Sequence, residues 1–445
     1  MNTKSVHIKS FVAIIIIAFV SNSFISCKKG YEKPVKIPDT SNNLNVIFIL
    51  GDDVGYEVPT CDGGQSYSTP NIDFMAANGV LFTQAHAAPL CSPSRFMLLT
   101  GKYNFRNYTN WGNMDLGQKT IGNMFADAGY KTAVYGKWQL GGGAISIHTF
   151  GFQQYCVWDP LSTDKGSRYK DPDIYENGNF VQSSLTKNKY GEDIFTDSVL
   201  NFIQKNACKP FFIYYPMVLT HAPFCPTPDD PEFAGWNADH DNSNPKFFPS
   251  MTKYMDKKIG MILDKLKSLG LDKNTIVVYA GDNGTSMQIK SKFKDTVVTG
   301  GKTQTNEFGT HVPLIIYSAS STMHGAVVND LIDFTDFLPT LAGLIDIKKP
   351  NDYGPLDGVS FSPRVYGEAG TPRNWIFYYY DPFPGSSTPV RWVQDTNYKL
   401  YDNPPDFYNI RTDVKERFPL EINSLTDYEK DIRATFLQVL ADEHR

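Results

Sequence analysis

The chain has 445 residues and a formal net charge of −5, and its sequence pI is near 5.9. This length can bury a large core in two or three domains, or in one large domain with an appendage. The lack of a basic surplus argues against nucleic acid as a partner, and the six cysteines include no closely spaced pair, which argues against a zinc cluster or a dense disulfide scaffold.

The N-terminal segment has the pattern of a signal peptide. Within residues 1–26, two lysines precede an apolar run that is shorter than a membrane span usually needs. The run leads to Phe-Ile-Ser-Cys, ending at Cys27, which resembles a relaxed bacterial lipobox with a lipid-bearing cysteine; the alternative is an ordinary signal with an incidental cysteine. Polar residues 27–43 predict a flexible tether. We therefore expect an exported bacterial protein, in the periplasm or as an outer-membrane lipoprotein, held at the membrane by its N-terminal lipid anchor.

Apolar strands alternate with helical patterns through the first part of the folded chain. Four continuous apolar runs predict strands that are buried on both faces. They span residues 45–50, 131–135, 211–215 and 275–280. Helices are predicted at 121–128 and at 251–269, the second from apolar residues at three- and four-residue spacing. This alternation predicts an α/β protein whose mostly parallel central sheet is covered by helices on both faces.

The last part of the chain has a different pattern. A predicted strand at 312–317 and a predicted helix at 331–344 precede a connection rich in glycine, proline and serine at about 350–374. Short strands at 375–380, 390–393 and 398–401 and a final helix at 426–443 then predict a small C-terminal antiparallel sheet with one helix. We place a main domain at 44–355 and a C-terminal subdomain at 356–445.

Polar side chains that are capable of chemistry follow each of the four apolar strands. In open α/β sheets, ligands bind beyond the carboxyl ends of the strands, so we expect these side chains to share one site. They are Asp52, Asp53, Lys137, His221, Asp282 and Asn283. Their carboxylate and amide oxygens suit Ca²⁺ or Mg²⁺ rather than a soft metal. Each acidic pair on its own also fits a turn or a helix cap.

The stretch from Pro89 to Gly101 places a cysteine and an arginine at the predicted start of a helix, which Pro93 keeps from beginning earlier. Free backbone N–H groups at a helix start favour an anion, and Arg95 adds a fixed charge with a fork of donors. Cys91 is therefore a candidate reactive residue. The alternative is a buried structural cysteine beside a helix cap.

Two lysines and one histidine complete the candidate site. Lys137 and Lys302 lie in glycine-bearing loops, where a cation beside a metal would hold the oxygens of an anionic substrate, although a lone lysine is usually solvated. His221, in a His-Ala-Pro turn, is a candidate proton donor, with a structural histidine as the alternative. Together these residues describe a site for a tetrahedral oxyanion.

Several short motifs occur together in one order along the chain. They are Asp52-Asp53-Val54-Gly55, Cys91-Ser92-Pro93-Ser94-Arg95, Leu99-Thr100-Gly101, Gly136-Lys137-Trp138, His221-Ala222-Pro223, Asp282-Asn283-Gly284 and Gly301-Lys302. In this order they resemble the motifs of the type I sulfatases, a branch of the alkaline-phosphatase superfamily. The resemblance covers the chain from about Asn45 onward and implies an alkaline-phosphatase-like α/β/α sandwich.

The resemblance implies that a formylglycine-generating maturase oxidises Cys91 during export to Cα-formylglycine, also called 3-oxoalanine. One hydroxyl of the hydrated aldehyde then attacks sulfur, and the second hydroxyl expels sulfate. A Ca²⁺ ion, or less expectedly Mg²⁺, is implied to be held by Asp52, Asp53, Asp282, Asn283 and residue 91. Arg95 is implied to steady the hydrate, while Lys137 and Lys302 bind the sulfate. His221 or Lys302 is implied to protonate the leaving oxygen.

Two positions depart from the family pattern. Gln139 stands where the family usually has a histidine that contacts the formylglycine, and glutamine keeps a hydrogen bond but cannot accept the proton of the second hydroxyl. His311 stands where arginine is common. Both are assigned to the substrate pocket. His86, His148 and His311 are candidate bases in place of the missing histidine, each with a structural or substrate-facing role as the alternative.

Three functions are compatible with this pattern. The first is a sulfuric ester hydrolase that acts on a sulfated carbohydrate, with Trp111, Trp158 and Trp236 available either to stack on sugars or to fill the core. The second is a phosphodiester or phosphonate monoester hydrolase on the same scaffold. The third is a non-catalytic protein that binds sulfated glycans, in which Gln139 marks lost turnover.

Overall fold

The computed structural model describes residues 44–237, 243–321, 323–347, 351–385 and 388–443. The predicted signal peptide at 1–26 and the tether at 27–43, with Cys27, lie outside the described residues. Within the described ranges, every helix is too short or too polar to cross a membrane.

The strands form one large sheet and two smaller ones. In chain order they are β1 (Asn45–Gly51), β2 (Gly79–His86), β3 (Lys131–Lys137), β4 (Gln154–Trp158), β5 (Tyr175–Glu176), β6 (Asn179–Phe180), β7 (Phe211–Pro216), β8 (Thr275–Gly281), β9 (Lys290–Phe293), β10 (Thr296–Thr299), β11 (His311–Tyr317), β12 (Ala326–Val328), β13 (Ile332–Asp333), β14 (Ile376–Tyr380), β15 (Val390–Gln394), β16 (Tyr398–Tyr401) and β17 (Phe407–Asn409). The large sheet runs β12-β2-β11-β8-β1-β7-β3-β4-β5-β6, with β13 also paired to β2.

The centre of the large sheet is parallel, as predicted. Strands β8, β1, β7, β3 and β4 pair in parallel, whereas β11 runs antiparallel to both β8 and β2. All four apolar runs of the sequence are therefore neighbouring parallel strands. Their carboxyl ends meet at one edge, where ligands bind in sheets of this kind.

Helices cover both faces of this sheet. In chain order they are α1 (Pro70–Ala77), α2 (Cys91–Thr100), α3 (Asn104–Asn107), α4 (Ile121–Asp127), α5 (Gly143–Thr149), α6 (Ser183–Thr186), α7 (Gly191–Lys205), α8 (Phe248–Ser268), α9 (Glu307–Thr310), α10 (Phe337–Leu344), α11 (Ser362–Val365) and α12 (Asp427–Asp442). Side chains of alternate residues in β1 point to opposite faces of the sheet. Phe48 packs in one hydrophobic core with side chains of α2 and α4, and Ile47 packs in the other with side chains of α7 and α8. A strand buried on both faces has to be apolar at every position, which explains the continuous run.

The predicted helix at 331–344 is wrong in its first half. Strand β13 occupies Ile332–Asp333, and a 3-10 turn at Phe334–Asp336 precedes α10. The Asp333 side chain accepts a hydrogen bond from the backbone near Asp336, and the Asp336 side chain accepts one from the backbone N–H of Asp333. This capping box fixes a new helix start at this point. The predicted connection at 350–374 contains the short helix α11.

The predicted C-terminal sheet is confirmed. Strands β14 to β17 form a four-stranded antiparallel sheet, and α12 packs on it through Phe436 and Leu440. This sheet also contacts the loop that carries Lys302. The Lys399 ammonium donates to the backbone carbonyl of Thr305, and the Tyr401 hydroxyl lies 2.7 Å from Thr305 Oγ1. The C-terminal sheet therefore holds one loop of the site in place.

Candidate active site

The register of the central strands brings the two acidic pairs together. Gly51 of β1 lies opposite Gly281 of β8, so Asp52 and Asp282 leave the sheet side by side. The amide of Asp53 donates to Asp282 Oδ1 over 3.0 Å. A Cβ on Gly281 would lie 1.9 Å from the Val54 carbonyl oxygen, so glycine is needed for the strands to end this close together.

Cys91 lies at the first position of α2, beside these carboxylates. Its Sγ and carboxylate oxygens of Asp52 and Asp282 all lie within 4.8 Å of one another, and the side chain is 4% exposed. The helix begins at Cys91, so the expectation that Pro93 delays the helix is wrong. Pro93 lies in the first turn, where a residue without an N–H is tolerated.

Arg95, one helical turn after Cys91, is buried and joins two elements of the site. Its Nε and Nη2 donate to Asp282 Oδ2 over 3.1 and 2.8 Å, and its Nη1 donates to the Lys137 carbonyl over 3.2 Å. Its Nη2 also lies 3.7 Å from Asp52 Oδ1. Arg95 therefore holds β8, β3 and the start of α2 in one arrangement and offsets the charge of the carboxylates.

Each lysine pairs with one aspartate of the first pair. Lys137 Nζ donates to Asp52 Oδ1 and Oδ2 over 3.1 and 2.9 Å, and Lys302 Nζ donates to Asp53 Oδ2 over 2.8 Å. A Cβ on Gly136 would lie 2.0 Å from the Pro216 carbonyl oxygen, so the glycine lets β3 end against β7 with Lys137 turned into the site.

The three carboxylates differ in acidity. Burial alone would raise the pKa of Asp52, but Lys137 and His221 outweigh it and lower that pKa well below its usual range. Burial likewise opposes ionisation of Asp53, whose pKa is nevertheless lowered, chiefly by Lys302. Burial and then the neighbouring charge of Asp52 raise the pKa of Asp282 to about 7. A further cation bound to these oxygens would lower the pKa of Asp282 and keep all three carboxylates ionised.

Asn283 adds an unpaired oxygen to this cluster. Its Nδ2 donates to Asp53 Oδ1 and to the Gly284 carbonyl, each over 2.9 Å. Its Oδ1 is buried and has no hydrogen-bond partner among the described residues. A buried amide oxygen beside three carboxylates is the donor set that a hard divalent cation such as Ca²⁺ prefers, so these residues fit a metal.

His221 lies at the mouth of the site, 20% exposed, with its Nε2 3.9 Å from Asp53 Oδ2. Burial, and next the charge of Lys302, lower the pKa of this imidazole to about 3, so the ring is neutral near pH 7. Its Nδ1 contacts the carbonyl of Ala222. The neutral ring therefore directs Nε2 toward the carboxylates.

Two residues that the sequence patterns did not single out hold the His221 loop. The Tyr169 hydroxyl donates to the Val218 carbonyl over 2.7 Å and also to the carbonyl of His221. Glu192 Oε2 accepts from the amides of Val218 and Leu219 over 3.1 and 3.2 Å. Glu192 is fully buried, so its hydrogen bonds fix the loop that carries His221.

Glu192 makes a prediction about stability and pH. Burial raises the pKa of this carboxyl from 4.5 to about 7, against hydrogen bonds from Tyr215 and the loop amides. Because the unfolded chain releases this proton first, the carboxyl's contribution to stability is fully present below the unfolded pKa and is lost as the pH rises through the folded pKa. Between about pH 5 and pH 8, we expect the wild type to lose about 3 kcal/mol more free energy of unfolding than Glu192→Gln, which mimics the protonated acid.

Urea unfolding of both proteins at the two pH values measures this difference. The same pH dependence in wild type and Glu192→Gln would contradict the prediction.

The remaining candidate residues are Gln139, His311 and His86, and the two histidines are held by contacts within the protein. Gln139 follows β3 with φ of +49°, and its Oε1 is buried without a partner among the described residues. His311 has both ring nitrogens engaged, Nδ1 3.4 Å from Glu307 Oε2 and Nε2 2.9 Å from the Thr83 carbonyl. His86 stacks on His311 with ring centroids 4.9 Å apart. Substrate contacts of Gln139 and His311 therefore stay a prediction.

His148 lies at the surface, and the three tryptophans are buried or partly buried. His148 is exposed and its Nδ1 lies 3.0 Å from the Phe152 carbonyl. Trp158 is buried in β4, so it fills the core rather than offering its ring to a sugar. Trp111 and Trp236 are partly buried and pack against the two cores.

Comparison with known proteins identifies relatives with sulfatase names. The family model described as sulfatase matches residues 44–347. Arylsulfatase A of Bos taurus is 28% identical over 397 residues, which cover 80% of this chain and 74% of that protein. N-acetylgalactosamine-6-sulfatase of Canis lupus familiaris is 30% identical over 371 residues, which cover 75% and 68%. N-acetylglucosamine-6-O-sulfatase of Bacteroides thetaiotaomicron is 25% identical over 500 residues, which cover 90% and 84%.

Solved structures share the fold. A structure from work on glycosaminoglycan metabolism by Bacteroides thetaiotaomicron matches with a TM-score of 0.73 at 23% identity, covering 90% of this chain and 99% of that one. The phosphonate monoester hydrolase of Agrobacterium radiobacter matches with a TM-score of 0.65 at 18% identity, covering 90% and 95%. The predicted α/β architecture with its mostly parallel central sheet is thereby confirmed. With the family model spanning more than half of its length, the chain belongs to the sulfatase family and is a sulfatase enzyme.

Proposed function

We propose that this sulfatase removes sulfate from a sulfated carbohydrate, with formylglycine made from Cys91 as its nucleophile and Ca²⁺ as its metal. The observation that carries the proposal is the position of Cys91, whose Sγ lies within 4.8 Å of carboxylate oxygens of both Asp52 and Asp282 at the start of α2. Two further facts support a carbohydrate substrate. Relatives are named for amino-sugar sulfates, and a solved relative in fold is described as bound to its substrate D-glucosamine-2-N,6-O-disulfate.

The identity of residue 91 follows from the chemistry of the reaction. A cysteine thiolate that took up a sulfuryl group would have no second hydroxyl with which to release it. A hydrated aldehyde at the same position has two hydroxyl groups, one to attack and one to expel sulfate. We therefore propose that a formylglycine-generating maturase acts on Cys91 before the chain folds, because the folded site buries this side chain.

The metal would be held by the acidic pairs and residue 91. Asp52, Asp53, Asp282 and Asn283 supply oxygens, and Ca²⁺ accepts such hard ligands in irregular geometry more readily than Mg²⁺ does. When bound, the ion offsets the carboxylate charge and favours the anionic form of the nucleophile. Arg95 orients Asp282 through its two hydrogen bonds and opposes the rise of its pKa.

Lysine side chains would bind the sulfate, and His221 would assist departure of the alcohol. Lys137 and Lys302 each have further N–H donors beyond those that contact Asp52 and Asp53. A bound sulfate brings negative charge next to the neutral imidazole of His221, which raises its proton affinity. His221, or Lys302 beside it, then donates the proton that the leaving oxygen needs.

The proton-donor role makes a prediction about leaving groups. We expect His221→Gln to lower kcat about 10²- to 10³-fold on a sugar sulfate, whose alkoxide is a poor leaving group, but less than about tenfold on nitrophenyl sulfate, whose phenolate leaves without a proton. Both substrates are assayed with one preparation, and Ala222→Ser in the same turn is the control. An equal loss on the two substrates would show that His221 is not the donor.

A phosphonate or phosphodiester hydrolase is the second candidate function, since a solved relative in fold is a phosphonate monoester hydrolase. The sulfatase family match favours sulfate. Rates on a phenyl sulfate and a phenyl phosphonate monoester with one preparation separate the two, because the favoured ester should react with the larger kcat/KM.

We also propose that the protein is exported and anchored by lipid at Cys27. The signal pattern before Cys27 and the polar segment after it support this location. We expect Cys27→Ser to move the protein from the membrane fraction to the soluble fraction of its host, while Cys61→Ser leaves it in the membrane fraction. Wild type that carries no lipid by mass spectrometry would contradict the anchor.

A further inference from the structure

Arg168 lies in the loop between β4 and β5 and points into the site, although it belongs to none of the motifs described above. It is 6% exposed, and its Nη1 lies 3.9 Å from Asp52 Oδ2, which is too long for a hydrogen bond. This nitrogen is buried and has no hydrogen-bond partner among the described residues. A buried donor without an acceptor is costly, so it points to a ligand.

The rest of the Arg168 side chain is anchored. Its guanidinium carbon lies 3.9 Å from the ring centroid of Trp158, and its Nη2 donates to Asp164 Oδ1 over 2.8 Å. Trp158 lies opposite Lys137 in the strand register. The stacking and the outer hydrogen bond fix the plane of the guanidinium, and this leaves Nη1 facing the site.

Arg168 also lies on the same wall as His221. The next residue, Tyr169, donates through its hydroxyl to the carbonyl of His221, so the backbone at 168 and the turn at 221 are tied together. The departing sugar has to lie near His221 if this residue protonates the leaving oxygen. A group on that sugar therefore comes within reach of Arg168.

The buried carboxylates of the site are paired at short distance with cations other than Arg168. Among the described residues that form ion pairs here, three buried carboxylates face four cations. The cations are Arg95, Lys137, Lys302 and Arg168. The first three each pair with a carboxylate at 2.9 Å or less. The only short pair of Arg168 in the described part of the chain is with Asp164, which is 61% exposed and is therefore screened by water. A divalent cation would increase the positive surplus, and one sulfate ester would offset only part of it.

We infer that Arg168 binds a second oxyanion of the substrate, a carboxylate or a second sulfate on the sugar that carries the scissile ester. The inference rests on the proposed function and adds to it a substrate class, doubly anionic sugars. The planar fork of arginine suits either oxyanion.

The test compares substrates with one and two anionic groups. Matured wild type, Arg168→Met, Arg168→Lys and the control Arg106→Met are assayed on a monosulfated sugar, on the same sugar with a second sulfate, and on a sulfated uronate. Arg106 is matched because it too stacks on an aromatic ring, with its guanidinium carbon 4.2 Å from the centroid of Phe105. It pairs instead with Asp357 and Glu443.

We expect wild type to prefer at least one doubly anionic sugar. In Arg168→Met, the ratio of kcat/KM for this doubly anionic sugar to kcat/KM for the monosulfated sugar should fall about 10- to 100-fold. The ratio should fall less in Arg168→Lys and should be unchanged in Arg106→Met. A fall with the disulfated sugar identifies a second sulfate as the group that Arg168 binds. A fall with the sulfated uronate identifies a carboxylate. A wild type without this preference, or an unchanged ratio in Arg168→Met, would overturn the inference.

A binding measurement keeps this test separate from the proposed function. In Cys91→Ala protein, calorimetry should show that adding Arg168→Met weakens binding of the disulfated sugar more than binding of inorganic sulfate. Equal weakening of both ligands would overturn the role of Arg168. If matured wild type released no sulfate from any ester, the proposed function would fail, and the binding result would still decide the inference. Arg168→Lys serves in both assays if the methionine variant does not fold.

Discussion

Cys91→Ala is expected to reduce sulfate release to the level of a control without enzyme, a loss of at least about 10⁴-fold. Alanine removes the atom from which the nucleophile is made, while the aspartate and asparagine ligands of the metal and both lysines remain. The side chain is small and lies at the start of α2, so we expect the fold and the melting temperature to change little. The measurement is release of inorganic sulfate from a sulfated sugar by protein produced with the maturase.

Cys156→Ala is the matched control for this substitution. Cys156 is also buried, within β4, but it lies outside the acidic cluster that includes Cys91. We expect this variant to keep its activity apart from a modest loss of stability. Cys91→Ala protein that released sulfate at the rate of the wild type would contradict a nucleophile at residue 91.

Removal of divalent metal is expected to lower kcat at least about 10²- to 10³-fold, because the ion that would favour the anionic nucleophile and polarise the sulfate is then missing. Unfolding free energy should fall as well, by about 3 kcal/mol relative to metal at one hundred times its Kd, since the metal binds the folded state alone. The measurement is activity and thermal unfolding after dialysis against a chelator, then after addition of Ca²⁺ or Mg²⁺.

Asp282→Asn sharpens the metal test. This variant keeps the shape of the side chain, yet it loses one charge of the cluster and one partner of Arg95. We expect it to need a higher Ca²⁺ concentration for half-maximal activity. Recovery with Mg²⁺ but not Ca²⁺ would contradict the choice of metal, and full activity of metal-free wild type would contradict the metal itself.

The parts of the fold that depend on local pattern were predictable from the sequence. A strand such as β1 is buried on both faces, so its continuous apolar run identifies it directly. Residues that follow parallel strands converge at one sheet edge by geometry, which explains why Asp52 and Asp282 meet although they lie far apart in the chain. The helix α2 was predicted near Cys91, but its exact start was not, because Leu90 precedes it without a side-chain cap and Pro93 lies inside its first turn.

The parts that depend on partner choice could not be predicted in the same way. Tyr169, Glu192 and Arg168 act through contacts with the His221 loop and with Asp52, and no periodicity or motif reports which distant residue a side chain will reach. The break before α10 is different. Asp333 and Asp336 stand at the three-residue spacing of a capping box, so a helix start there was visible in the sequence but was masked by the apolar run around it.

The most direct measurement of the central claim relates the state of residue 91 to catalysis. Preparations with increasing amounts of maturase are analysed by mass spectrometry for the fraction of chains that carry an aldehyde at residue 91, and each is assayed for sulfate release from a sulfated sugar with Ca²⁺ present. The account predicts that specific activity rises in proportion to this fraction and extrapolates to zero when every chain carries cysteine. Activity that is independent of the aldehyde fraction, or fully converted protein that releases no sulfate from any sulfate ester, would contradict it.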